Sequence, residues 1–252
     1  MRRRHAGGLC CAATLLCAML LPAPAGGTPV DVELVIAADV SVSMDREETL
    51  LQQNGFAKAF RHPDVLQAIG SGATGRIAVT YFEWGGDGLH RIVVPWTLID
   101  SGESAHRFAR KLETSRPARF KRGTSIGSAL LKSHRLLRQS GFSGARRIIN
   151  ISGDGVSNKG PDLARARETL LAAGLTINGL PIVYKGHGEG MVADPRLAAD
   201  PGFLIGYFER EVIGGPNAFV EPVTAMENYA DAIRRKLLRE IGAPMYAGLR
   251  QD

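Results

Sequence analysis

The chain has 252 residues, 44% of them hydrophobic and 22% charged, with 31 Lys+Arg against 25 Asp+Glu and three cysteines. That composition excludes a multi-span membrane protein and a disordered chain, and the length allows one large domain with a full core. A net charge of +6 raises nucleic acid as a partner and the cysteines raise a metal or redox site, so the positions of these residues decide what they mean.

They sit largely at the front. Arg2, Arg3 and Arg4 precede an apolar stretch from Gly8 to Leu21, followed by Ala23-Pro24-Ala25. A basic start, an apolar run too short to span a bilayer and a small-x-small site define a signal peptide over residues 1–25. Cys10, Cys11 and Cys17 all lie within it. Cleavage after Ala25 leaves 227 residues; it removes three basic and no acidic residues, so the mature net charge is +3. The mature chain has no cysteine, which excludes disulfides, thiol catalysis and thiolate metal sites. The expectation is an exported protein, periplasmic or secreted, with one domain over 26–252 and no stable membrane insertion after leader removal.

Val30–Asp39 is an apolar run of central-strand character ending at Asp39-Val-Ser41-Val-Ser43. Asp45 and Glu48 have capping-box spacing and open a helix bearing Leu50, Ala57 and Phe60, which His62-Pro63 ends. Arg76–Trp84 and Arg91–Ile99 read as a hairpin around Gly85-Gly86-Asp87-Gly88. A helix from Ser104 to about Leu112 leads into a basic loop with Arg116, Arg119, Lys121 and Arg122. The next helix carries Ile126, Ala129, Leu130 and Leu137 at helical period. A strand over Arg147–Ser152 ends at Gly153-Asp154-Gly155. Helix Pro161–Ala173 and strand Leu175–Val183 follow. Tyr184–Asn217 shows only short periodic pieces, and Ala218–Val223 reads as a last strand. The final helix has an apolar stripe of Met226, Tyr229, Ala230, Ile233, Leu237 and Ile241. Its charged residues, Arg234, Arg235, Lys236 and Arg239 with Glu227, Asp231 and Glu240, are assigned to the solvent face. Alternating strands and helices predict one α/β domain, Rossmann-like in three layers, with a mainly parallel sheet and one antiparallel edge strand.

Ligands of such sheets bind at the carboxyl ends of strands. Two strand ends here carry oxygen-rich loops, and Arg122-Gly123-Thr124-Ser125 opens a helix. Two carboxylates and three hydroxyls suit a hard divalent cation that keeps some of its waters, as Mg²⁺ does. The valines between the first three oxygen donors are expected to pack inward.

In these motifs the chain resembles a von Willebrand factor A-type (vWA) domain with a metal-ion-dependent adhesion site, and most closely an uncharacterised group of secreted bacterial proteins of that type. The resemblance runs from about Val30 to Gly242. It implies that Ser41, Ser43 and Thr124 hold the ion through hydroxyls, with Asp39 and Asp154 acting directly or through water. It further implies Mg²⁺, with Mn²⁺ or Ca²⁺ as alternatives, and a protein partner offering an acidic side chain. No catalytic residue and no organic cofactor are expected.

Other readings compete. Gly123-Thr-Ser125-Ile-Gly127 matches a hydrolase nucleophile elbow, yet a basic loop rather than a strand precedes it, and only His134 and His187 follow. Asp39-Val-Ser41 lacks the second acid of phosphoaspartyl phosphatases. A metal-dependent hydrolase would need a base, for which Glu83 and Asp45 are the nearest candidates, Asp45 being better explained as a helix cap. A structural or assembly domain without a working ion is the third alternative. Arg116–Arg122 and Arg146-Arg147 read as solvated loop charges rather than a nucleic-acid surface, because the mature charge is small and aromatic residues do not interleave them.

Overall fold

A computed structural model of the protein describes residues 26–120, 123–184, 200 and 202–242. The expected leader, Lys121, Arg122 and His187 lie outside the described residues.

The apolar run forms β1 (Thr28–Asp39), and Asp45 caps α1 (Arg46–Arg61) through a complete capping box with Glu48. His62-Pro63 ends α1 and begins a further short helix, α2 (Pro63–Gly70), with proline in its first turn where no N–H is needed. The hairpin is β2 (Ile77–Trp84) and β3 (His90–Ile99), followed by α3 (Gly102–Thr114) and α4 (Ile126–Arg138). Then come β4 (Phe142–Gly153), α5 (Leu163–Ala172) and β5 (Thr176–Pro181). Within the stretch read as irregular, α6 (Gly202–Tyr207) runs into a π-helical turn, Phe208–Val212. The chain closes with α7 (Tyr229–Ile241).

The sheet order is β3-β2-β1-β4-β5. β1 pairs in parallel with β2 and β4, β4 in parallel with β5, and β3 alone is antiparallel. Because β2 and β4 flank β1 on opposite sides, the winding reverses beside β1, which is where a doubly wound sheet opens a crevice. Ala218–Val223 forms isolated bridges rather than a full strand, with Val220 and Val223 meeting Gly179 and Ile182.

The Leu34–Ala38 stretch of β1 is apolar because both its faces are covered. Leu34 and Ile36 pack with Phe56, Phe60, Phe108, Ile233 and Leu237 from α1, α3 and α7. Val35 and Ala37 pack with Ile126 and Leu130 of α4, Leu170 of α5 and Phe208.

Three sequence expectations are corrected here. Leu50 is only partly buried, while Gln52 and Gln53 of α1 are fully enclosed. On α7, Lys236 and Glu240 belong to the buried face, while Met226 precedes the helix and is exposed. β4 begins at Phe142 rather than at Arg147, so Arg146 is also a strand residue, and neither arginine is a solvated loop charge. Arg146 donates to the carbonyls of Glu240, Ile241 and Gly242, and Arg147 to that of Ala173. Each thus places a cation at a helix C-terminus, where the dipole favours it.

Candidate functional site

β1 and β4 end side by side, and this brings their terminal loops together. Asp39 is fully buried, and its Oδ1 accepts the N–H of Ser41 at 2.7 Å, folding the loop back on the strand end. Ser41 Oγ lies 3.2 Å from Ser43 Oγ, and Ser43 Oγ donates to Asp154 Oδ1 at 2.6 Å. From the third loop, Thr124 Oγ1 reaches Ser41 Oγ at 3.5 Å. The five oxygen-bearing residues singled out in the sequence are therefore contiguous. Asp39, Ser41 and Thr124 form the buried floor, while Ser43 and Asp154 are half-buried at the opening.

Residues not read as part of the site hold this floor in place. Gln52 Nε2 donates to the Asp39 carbonyl at 3.0 Å, its Oε1 accepts from Ser152 Oγ, and that hydroxyl accepts the Asp39 N–H at 3.1 Å. Asn158 binds Thr124 in both directions: its Oδ1 accepts the Thr124 N–H at 3.0 Å, and its N–H donates to the Thr124 carbonyl at 2.9 Å. Behind Asp154, Tyr207 Oη accepts the Ser157 N–H at 3.1 Å. The Tyr184 hydroxyl donates to Glu48 at 3.0 Å, and burial first, then the nearby carboxylates, push its pKa up. A glutamine inside an amphipathic helix gives no sequence signal of such a role; Asn158, in a polar loop, gives only a weak one.

The valines of the first loop do not both turn inward. Val40 is 2% exposed, whereas Val42 is 45% exposed. Beside Ser41 a groove of about 600 Å³ opens, lined by Val42, Met44, Arg46, Arg119 and Phe120 among others. Cationic groups thus rim the crevice on one side.

The described residues named for the competing chemistries have structural partners. Ser125 caps α4 rather than sitting after a strand, its N–H donating to the Gly85 carbonyl at 2.9 Å. Glu83 is buried, accepting from Arg91 Nε at 3.0 Å and the Ala118 N–H at 2.8 Å. Burial raises its pKa against the pull of those two donors. It ties β2 to the loop after α3. Asp45 is the α1 cap.

The donor set suits a hard cation. Two carboxylates and three hydroxyls supply oxygen alone, in one connected cluster at a strand crevice. Among the described residues no group of three or more His, Cys, Asp or Glu side chains is placed to hold a metal. A cation held by Asp39 and Asp154 would therefore need further oxygens, and the hydroxyls of Ser41, Ser43 and Thr124 are the side-chain oxygens beside them.

The five-stranded, mainly parallel sheet with one antiparallel edge and helices on both faces is a fold that solved vWA-type structures share. A pilus adhesin, SpaC, from Lactobacillus rhamnosus GG matches at a TM-score of 0.57 and 13% identity, over 86% of this chain and 31% of that one. A von Willebrand factor type A structure from Catenulispora acidiphila matches at 0.50 and 21%, over 84% and 43%. The vWF domain of the type V pili tip protein Mfa5 from Porphyromonas gingivalis matches at 0.51 and 11%, over 85% and 97%. The chain spans less than half the length of the first two, and at these identities the likeness is one of fold. The chain belongs to the family described as "Protein of unknown function (DUF1194)", which matches residues 29–245. No curated protein matches it.

Proposed function

We propose that the protein is a binding module in which Asp39, Ser41, Ser43, Thr124 and Asp154 hold a divalent cation and, through it, an acidic group of a protein partner. The observation that carries this reading is the connected chain of oxygens drawn from three loops at the sheet's switch point. When bound, the cation supplies a hard electrophilic position for a partner carboxylate. With few protein ligands and space for water, Mg²⁺ fits this set better than Ca²⁺, which takes six to eight oxygens; Mn²⁺ is the other candidate. Arg46 and Arg119, with Asp45 between the loop and the helix, line the groove beside the crevice, and the two arginines favour an anionic partner group. The role is non-enzymatic, since Glu83 and Asp45, the candidate bases, are engaged in structural hydrogen bonds.

The same reading places the protein outside the cytoplasm. Residues 1–25 are removed on export, and 26–252 act as a single periplasmic or secreted domain. No helix among the described residues is long and apolar enough to cross a membrane.

The test is thermal unfolding with Mg²⁺ or with EDTA. Mg²⁺ raises the midpoint of the wild type, and Asp39→Ala abolishes the rise; a wild type indifferent to Mg²⁺, Mn²⁺ and Ca²⁺ refutes the metal site. A pull-down from the envelope fraction of the parent organism then tests the binding role. Capture that is equal with Asp39→Ala removes the cation from recognition.

A further inference from the structure

Packing α7 against the sheet buries a lysine. Lys236 is 0% exposed, and its Nζ pairs with Glu240 one turn further along the helix. Glu240 is 1% exposed and fully engaged. The Oε1 that meets Lys236 also accepts from Asn178 Nδ2 at 3.1 Å, and Oε2 accepts from Asn150 Nδ2 at 2.9 Å. Asn178 Oδ1 in turn accepts the backbone N–H of Phe219 at 3.1 Å, and the Phe219 ring centroid lies 5.2 Å from Lys236 Nζ. An amine and a carboxamide therefore converge on one carboxylate oxygen inside the core.

As a stabilising device this arrangement is costly. Enclosing a charged pair takes both ions out of water, and apolar residues of similar volume stabilise as well or better. Its parts do match the requirements of amide exchange. Burial lowers the Lys236 pKa, against the pull of Glu240, and so favours the neutral amine, which is the nucleophilic form. The Phe219 N–H polarises the Asn178 carbonyl and stands where an oxyanion develops. Glu240 touches both the attacking and the leaving nitrogen, so it can carry a proton between them.

We propose that Lys236 and Asn178 become joined by an intramolecular isopeptide bond that fastens α7 to β5. Neutral Nζ adds to Asn178 Cγ, forming the new C–N bond while the carbonyl oxygen takes up negative charge beside the Phe219 N–H. Glu240 accepts a proton from the added nitrogen and delivers it to Nδ2. The Cγ–Nδ2 bond then breaks, the carbonyl re-forms and ammonia leaves. The products are one secondary amide and one NH₃, with no oxidant or further reactant. Asn178 is the electrophile because it shares Oε1 with Lys236 and its carbonyl carries the backbone donor. Asn150 holds the other oxygen of Glu240. Beyond residue 25 the chain has no cysteine, so this amide is a covalent brace where disulfides are unavailable.

The experiment is intact-mass spectrometry of the purified full chain, with tandem sequencing of its proteolytic fragments. The wild type is expected to weigh less than its sequence by one ammonia and to yield a branched peptide joining the segments of Lys236 and Asn178. Lys236→Met and Glu240→Gln restore the full sequence mass, the second while keeping the lysine. A wild type of undiminished mass overturns the proposal whatever the variants do. So does a deficit that persists in Lys236→Met, which marks succinimide formation at an Asn-Gly step, Asn54-Gly55 or Asn178-Gly179, instead. A branched peptide carrying Asn150 overturns the assignment of the electrophile.

Discussion

Ser43 Oγ donates to Asp154 Oδ1 at 2.6 Å across 111 positions of sequence, and this contact joins the loop after β1 to the loop after β4. It sits at the open side of the crevice, above the buried Asp39 and Ser41. A cation held there would replace the hydrogen bond by shared coordination, so Ser43 serves the site in either state. Ser43→Ala is expected to weaken Mg²⁺ affinity by about tenfold or more. Without metal it should cost no more than about 1 kcal/mol, the worth of one half-exposed hydrogen bond. Titration calorimetry with Mg²⁺ and urea unfolding in EDTA measure the two effects separately. An unchanged affinity would remove Ser43 from the ligand set.

Gln52 is predicted to matter although it is none of the proposed ligands. Its amide bridges the Asp39 carbonyl and the Ser152 hydroxyl, which itself receives the Asp39 N–H. Gln52→Leu takes a donor from the buried Asp39 carbonyl, at about 1–3 kcal/mol, and leaves the Ser152 hydroxyl with only its longer contact to the Ala37 carbonyl at 3.4 Å as acceptor. The variant should lose stability in EDTA and, with the Asp39 backbone released, bind Mg²⁺ less tightly. Loss of stability with full Mg²⁺ affinity would show that the bridge supports the core without orienting the site.

Much of this was legible beforehand because the strongest signals are local. β1 announces itself by the apolar run Leu34–Ala38, β4 by the cluster Ile148, Ile149 and Ile151, and α1 by a capping box, each readable within a dozen residues. The five proposed ligands could be singled out because strand ends and oxygen-rich loops coincide there, and three of those loops meet. What escaped depends on distant partners. Lys236 and Glu240 read as a solvent-facing pair until Asn150 and Asn178, from two different strands, meet them in the core. Arg146 and Arg147 read as loop charges because the helix ends they cap come from separate parts of the chain. Val42 read as inward because alternation was assumed to continue past the strand, where the loop in fact turns it out.

The Gly123–Gly127 motif is predicted to act in packing rather than catalysis. A Cβ on Gly127 would lie 2.5 Å from the Pro161 carbonyl oxygen, a backbone atom that cannot swing away. The helix start and the segment before α5 therefore touch only because residue 127 lacks a side chain. Gly127→Ala should destabilise by about 1–3 kcal/mol, despite the better helix propensity of alanine. Ser125→Ala removes the α4 cap and should cost about 1 kcal/mol. Urea midpoints measure both. A Gly127→Ala protein as stable as the wild type would show that the Pro161 segment yields at little cost.

His90 should make stability fall on the acid side. Its Nε2 lies 3.3 Å from Ser128 Oγ and its ring stands edge-on to Phe82. Burial, then the charges of Lys132 and Arg135, lower its pKa to about 4, against a weaker upward pull from Asp87. In the unfolded chain the imidazole takes its proton near the ordinary value of 6.5. Between these two values the unfolded state binds more protons than the folded one, so unfolding is favoured as pH falls. The stabilisation is complete above about 6.5 and is lost progressively on the way down to about 4. Allowing for the partial exposure of the ring, the loss is on the order of 1 kcal/mol. His90→Gln keeps a polar group near Ser128 and removes the titration. Urea unfolding in EDTA at pH values above and within that window should show a smaller acid loss for the variant. Parallel curves for the two proteins would mean that His90 gains its proton as readily in the folded state as in the unfolded one.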